Sequence, residues 1–223
     1  METSASKRNF GAVIALGTIW GLSEAGLGMG LRACAAAVSG SLMTGVALFF
    51  LAAGWSASKR LAGVGLMVLV AGLFKMSDAL FLSLPLKHGA IGNPIFAFIM
   101  EAAAFAVLVS VVRDRLVRKP SGQALLGGLS AVVAANLFPL VRYATGVPPC
   151  VVPGTGVPLS LHYIYVAALA SMISVPLGVW SGSRIAALDI RFMDHLAWAR
   201  VRPFLAPAAL AFGLALLAVL RLA

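Results

Sequence analysis

Acidic residues are scarce in this chain. There are seven in 223 residues, against seventeen lysines and arginines, and charged residues make up only 11 %. Soluble domains carry about 25 % charge, so this scarcity excludes an ordinary water-exposed surface. Cysteine is scarcer still. Cys34 and Cys150 are the only two, too few for a disulfide framework, and there is no CxxC, no CxxCH haem-attachment motif and no iron–sulfur spacing. The three histidines, His88, His162 and His195, fall at the ends of apolar segments, which disfavours a haem held at membrane depth. His88, His162 and Cys150 have no metal-specific spacing, so neither a metal nor a cofactor is expected. The chain also lacks a P-loop, an HExxH and a GxSxG, leaving ATP hydrolysis, zinc proteolysis and the usual serine hydrolase arrangement without support. No enzymatic activity is expected.

What is abundant is hydrocarbon. With 61 % hydrophobic residues and a mean hydropathy of +1.00, the composition is that of a polytopic membrane protein. Apolar windows of about 20 residues, enough to span the bilayer core as a helix, fall at 10–31, 33–55, 61–84, 92–112, 122–143, 161–182 and 203–222. The expected fold is an all-α transmembrane helical bundle of about seven spans, six being possible, forming one integral membrane domain over 1–223. A transmembrane barrel would show alternating segments of about ten residues, and none are present.

The net charge of +10 does not call for nucleic acid, because the positions of the basic residues explain it. With the N-terminus cytoplasmic, Lys7, Arg8, Lys59, Arg60, Arg113, Arg115, Arg118, Lys119, Arg184, Arg191, Arg200 and Arg202 collect on the inner side. Only Arg32, Lys87, Arg142 and Arg221 are left outside, the positive-inside pattern. The start, Met1 to Arg8 and then an apolar run, resembles a signal peptide, with Ala35 and Ala37 as a conceivable cleavage pair. The run is longer than a typical h-region and contains Glu24, so the first span is expected to stay. In this topology Cys34 and Cys150 both lie outside, where a disulfide is permitted; two unlinked small residues is the plainer reading.

Four ionisable residues interrupt the hydrocarbon: Glu24, Lys75, Asp78 and Glu101. Charges at this depth cost a few kcal/mol each by insertion scales, and they ordinarily face a bundle interior or a cavity. Counting about 1.5 Å per residue from the outer end of each span, Glu24 lies roughly 10 Å deep, Lys75 and Asp78 roughly 14 and 9 Å, Glu101 roughly 14 Å and Asn136 near 10 Å. They share one layer in the outer half of the bilayer. Lys75 and Asp78, three residues apart, lie on one helical face and can pair. Three carboxylates against one ammonium leave a formal surplus of two negative charges, to be met by protonation or by a cationic ligand. The residues expected to bind a small solute are Trp20 as a stacking wall, Glu24, Lys75, Asp78, Glu101, and Asn93 and Asn136 as orienting amides. The plainer alternative is a Lys75–Asp78 pair with protonated Glu24 and Glu101 hydrogen-bonded between helices.

Other features place the surroundings of that layer. Gly17 and Gly21 form a small-residue strip on the first span, and Ala33 and Ala37 a second pair; generic helix contact is the plainer use of both. Asn136, three residues before Pro139, is a combination that can free backbone carbonyls toward a cavity. The loop from Ala144 to Pro158 holds four prolines and suits a stiff lid or rim. From Arg184 to Arg202, apolar and charged residues alternate as in an amphipathic helix lying on the inner surface, or one docking a cytoplasmic partner.

A small, very hydrophobic helical chain with an outward polar pocket, small-residue strips and no nucleotide motif resembles the substrate-binding S component of energy-coupling factor transporters. The strip Gly17-Thr18-Ile19-Trp20-Gly21-Leu22-Ser23-Glu24 corresponds to the AxxxA region of that family's first helix, with Gly in place of Ala. The segment from Gly89 to Phe98, GAIGNPIFAF, is similar to the Gly/Pro-rich turn of biotin-type members. The resemblance implies uptake of a small molecule or ion across the bacterial cytoplasmic membrane, with Gly17 and Gly21 packing on a transmembrane coupling subunit driven by ATPases. Seven spans rather than six depart from the family pattern, as does the lack of a His-rich N-terminus. Two other classes stand beside it: a proton- or cation-coupled secondary carrier, and a membrane anchor subunit of a larger complex.

Overall fold

The computed structural model describes residues 10–34, 36–112, 117–192 and 196–222, with the side chains of 27–34, 36–37, 192 and 196–199 outside the described set. Expectations resting on Lys7, Arg8, Arg32, the Ala33 and Ala37 pair, Ala35, Cys34, Arg113, Arg115, Asp194, His195 and Trp198 therefore concern residues or side chains outside it.

In hydrocarbon a segment must satisfy its own backbone N–H and C=O groups, and these apolar stretches do so as helices. The long ones are α1 (Phe10–Cys34), α2 (Ala36–Ser58), α3 (Leu61–Phe81), α4 (Gly89–Val111), α5 (Pro120–Leu137), α8 (Ile164–Phe192) and α9 (Leu196–Leu222). Two short helices, α6 (Val141–Thr145) and α7 (Leu159–His162), lie in the connection from α5 to α8. Among the described residues, six helices are long and apolar enough to cross a membrane, and α1 adds a shorter apolar stretch, Phe10–Gly26. The protein is an all-α polytopic membrane bundle.

Helices α1, α3, α4, α5, α8 and α2 touch in that cyclic order and close a ring, with α9 outside it against α1 and α3. Leu48 and Leu51 of α2, Met67 of α3, Phe105 of α4 and Leu126 of α5 are fully buried and belong to one core cluster that fills the ring. The most extensive contact is between α2 and α8, and glycine makes it. A methyl group on Gly178 would overlap the Phe49 carbonyl oxygen, and one on Gly182 the Ala53 carbonyl oxygen. The Ser56 hydroxyl adds a hydrogen bond to the Val179 carbonyl at 2.9 Å. Without a hydrophobic drive between helices in lipid, such backbone approach and interhelical bonding supply the cohesion.

The segment from Arg184 to Arg202 differs from the sequence expectation. Residues 184–192 continue α8 and residues 196–202 open α9. Arg202 Nη2 meets Asp189 Oδ2 at 2.8 Å, whereas thirteen residues of one straight helix would set these positions about 20 Å apart. The amphipathic pattern therefore belongs to two helix ends emerging from the apolar layer and held together by an ion pair, not to one helix lying on a surface.

The proline-rich connection behaves as a rim. Val151 and Pro158 form an isolated antiparallel bridge, Val152 N–H donates to the Val157 carbonyl at 2.9 Å, and Gly154 takes φ +75° in the tip, a conformation that glycine adopts without steric cost.

Candidate functional site

One end of the bundle is hollow. A cavity of about 340 Å³ opens where α1, α3 and α5 finish and α2, α4 and α8 begin, a size at the lower end of small-ligand sites. Glu24 of α1, Lys75 and Asp78 of α3, and Asn93 and Glu101 of α4 all line it. Five of the expected solute-binding residues, distant in sequence, are thus brought together.

Asp78 is the fulcrum of the charged wall. It is 1 % exposed, and Arg221, from the last turn of α9, grips both of its oxygens: Nε to Oδ1 at 2.6 Å and Nη2 to Oδ2 at 2.9 Å. Lys75 Nζ approaches Oδ2 at 3.4 Å from the preceding turn of α3. Arg221 Nη2 also donates to the Ala25 carbonyl at 3.4 Å, tying α9 to α1. A planar fork on a carboxylate is the strong, orientation-specific form of ion pair. The Arg221 guanidinium is a functional group that the sequence reading placed only as an outer terminal charge. With it, the described side chains that line the cavity include three carboxylates and two cations, Lys75 and Arg221.

In the same lining, Glu101 is 4 % exposed and Glu24 8 %. Thr44 of α2 lines the cavity with them, its hydroxyl donating to the Gly40 carbonyl at 3.2 Å. Asn93 sits two turns nearer the cavity mouth on α4, its Oδ1 buried with no hydrogen-bond partner in the structure.

The proline effect expected in α5 is present. Pro139 has no N–H to return to the Ala135 carbonyl, and the helix tightens into a 3₁₀ turn over Phe138–Leu140. The Ser160 hydroxyl donates to that Ala135 carbonyl instead, at 3.3 Å, and both residues line the cavity. The rim residue Cys150 is also in the lining and is a free, exposed thiol.

Four expected placements are corrected. Asn136 is exposed on the outer face of α5 and donates from Nδ2 to the Val132 carbonyl at 2.8 Å; the buried face of α5 carries Gly127, Ala131, Ala134 and Ala135 instead. Trp20 does not line the cavity. It is fully buried behind Phe98, ring centroids 4.8 Å apart, so the aromatic wall is Phe98 with Trp20 as its backing. Gly17 and Gly21 do not present a surface to a partner: a methyl on Gly17 would lie 2.9 Å from Val70 Cβ, and one on Gly21 2.6 Å from Phe74 Cβ. That strip seats α3 of the same chain.

The outward face of Asn136 yields a direct test. Replacing Asn136 with Leu is expected to change stability by no more than about 0.5 kcal/mol, read by unfolding in mixed micelles, and to leave retention of any co-purifying small molecule unchanged.

Among the described residues no group of three His, Cys, Asp or Glu side chains is arranged to hold a metal ion. The His88 ring caps α4 by accepting from the Ala90 N–H at 3.2 Å. Comparison with known protein families, with curated proteins and with solved structures finds no match to this chain.

Proposed function

We propose that this protein binds a small solute in the outer half of the bilayer and serves its uptake across a membrane, in the manner of a transporter's substrate-binding subunit. The observation that carries this reading is the convergence of Glu24, Lys75, Asp78, Glu101 and Arg221, from four helices, on one cavity of about 340 Å³. Groups so costly to hold in hydrocarbon face one another around a space rather than packing out. The opposite end carries Lys59, Arg60, Arg118, Lys119, Arg184, Arg191, Arg200 and Arg202, so the positive-inside rule turns the cavity outward, as uptake across the bacterial cytoplasmic membrane requires.

The S-component resemblance supports a division of labour in which this chain captures solute and a coupling subunit with ATPases drives release. Since the Gly17/Gly21 strip is occupied within the chain, that subunit would dock on another face. A second reading, a cation-coupled carrier, is favoured by two buried acids, Glu24 and Glu101, in one cavity lining. The anchor reading is weaker, because its docking helix over 184–202 is divided between α8 and α9.

The purified chain, reconstituted alone in vesicles, is expected to retain solute by native mass spectrometry yet move none of it, uptake appearing only with its coupling partners. Transport by the chain alone, with a pH dependence that disappears in Glu101→Gln, establishes the carrier instead. Absence of any bound small molecule refutes both.

A further inference from the structure

The inner end of α8 carries a surface that the cavity does not use. The helix runs for 29 residues, about 43 Å, against roughly 30 Å of hydrocarbon, so its last turns stand among the headgroups. Gly178 and Gly182 turn toward α2. Trp180, two residues and about 200° from each, faces the other way and is 59 % exposed. Arg184 lies one turn further on, its guanidinium 5.7 Å from the Trp180 ring centroid, a cation–π contact that holds the charge beside the indole. Ile173, Trp180, Arg184 and Arg191 are all exposed. Their spacings of seven, four and seven residues keep them on one stripe over about five turns. Charge at this end is one-sided. Among the described residues its one acid is Asp189, which Arg202 meets at 2.8 Å, and neither Arg184 nor Arg191 has a carboxylate partner.

We propose that this stripe binds an anionic glycerophospholipid of the inner leaflet. The phosphodiester sits at Arg184, whose planar fork suits phosphate oxygens, and Arg191, two turns further out, faces the headgroup. An acyl chain lies along Trp180 and Ile173. Ile173 is eleven residues, roughly 16 Å, from Arg184, about the depth of one leaflet's hydrocarbon. That length favours a lipid over an acidic protein: the cations continue a face that already meets acyl chains, and Trp180 occupies the interfacial level that indoles prefer. A zwitterionic lipid offers the same chains but sets its own ammonium beside the phosphate, against two guanidinium groups.

The test is tryptophan fluorescence of the full chain in phosphatidylcholine bilayers that contain a small fraction of acyl-brominated phosphatidylglycerol or acyl-brominated phosphatidylcholine. Bromine quenches an indole that it touches, and Trp180→Phe identifies the share of the signal that belongs to this site among the four tryptophans. Brominated phosphatidylglycerol is expected to occupy the site at least about fivefold more readily, the worth of one basic side chain at an anionic headgroup. The preference is expected to vanish in the double variant Arg184→Gln/Arg191→Gln and to persist in Lys87→Gln, which removes an exposed charge from the opposite end. Should the double variant fail to fold, the order of the two lipids at Trp180 of the unmodified protein still decides the matter. Equal quenching by both lipids overturns the proposal, as does a preference that survives the double variant or is lost in Lys87→Gln. Inorganic phosphate that abolishes the preference at constant ionic strength would assign the arginines to a soluble anion and overturn the lipid. Trp180 quenched by neither lipid while a co-purifying protein covers the stripe would give the surface to a polypeptide and overturn the lipid as well.

Discussion

Asp78→Asn is expected to be among the most damaging polar substitutions in the molecule, costing about 3–5 kcal/mol, the loss typical of removing one partner from a buried ion pair. The reason is asymmetry within the cluster. Asp78 balances two cations, Lys75 at 3.4 Å and Arg221 at 2.6 and 2.9 Å. Its loss therefore takes the shared carboxylate from an ammonium and a guanidinium, both side chains only 8 % exposed. Arg221→Met removes one of the two cations and leaves the Lys75–Asp78 pair, so its cost is expected to be clearly smaller. The double variant, Asp78→Asn with Arg221→Met, is expected to be more stable than Asp78→Asn alone, because one of the two buried cations that lost this carboxylate has gone. Unfolding in mixed micelles, analysed as a double-mutant cycle, measures this coupling. Equal losses from the two single substitutions would show that Arg221 is not held by Asp78.

The same cluster explains how α9 is attached. Only 11 % of its apolar window is buried in the bundle, the rest facing outward, so packing alone grips it weakly. Gly213 lets α9 approach α1 and α3: a methyl there would lie 2.5 Å from Thr18 Cγ2 and 2.7 Å from Phe74 Cζ. Two turns on, Arg221 completes the contact through Asp78 and the Ala25 carbonyl.

The layer of ionisable groups was legible in the sequence because depth along a helix is a local property. At a fixed rise per residue, Glu24, Lys75, Asp78 and Glu101 reach comparable levels whatever the packing. Direction around the helix axis is not local, and here the reading of Asn136 failed. It has the right depth and the wrong face. Its helix did carry a usable signal: Gly127, Ala131, Ala134 and Ala135 trace the strip along which α5 is buried, and Asn136 lies one residue, about 100°, off its edge. Trp20 failed differently, since four residues from Glu24 it shares that strip but lies one turn deeper, where Phe98 and Phe50 enclose it. Arg221 had no local signature, being 143 residues from its partner. The hint was a charge surplus that called for one more cation, together with an arginine ending a span on the same side.

The small-residue strips were visible as well, but not their partners. Spacing shows that a helix can approach another closely; it does not show which one. Gly17 and Gly21 meet α3, while the contact between α2 and α8 rests on Gly178 and Gly182, to which the sequence reading assigned no role. The segment over 184–202 was misread for a related reason. Charge and hydrocarbon alternate in the same way on a surface helix and on two helix ends that leave the membrane side by side, and only the Asp189–Arg202 contact distinguishes them.

Gly182→Ala is expected to have the second large effect, on binding as well as on stability. The added methyl would coincide with the Ala53 carbonyl oxygen, and neither backbone can yield without parting α2 from α8. Inserting one methylene into a packed interior typically costs about 1–3 kcal/mol, and a clash with backbone rather than with a flexible side chain belongs at the top of that range. Gly65→Ala on α3 is the control, since a methyl there has nothing within 4 Å. It is expected to be neutral or stabilising by up to about 1 kcal/mol, the helix preference of alanine over glycine. The consequence for binding comes through α2, which carries Ser41, Met43 and Thr44 into the cavity lining. Gly182 lies fifteen residues, roughly 22 Å along α8, from Ala167 in the cavity lining, so it touches no solute. Even so, a parted contact between α2 and α8 displaces those residues of the cavity wall. Gly182→Ala is therefore expected to weaken solute retention in native mass spectrometry while Gly65→Ala leaves it unchanged. Retention that survives in a measurably destabilised Gly182→Ala protein would mean that α2 is not part of the binding wall.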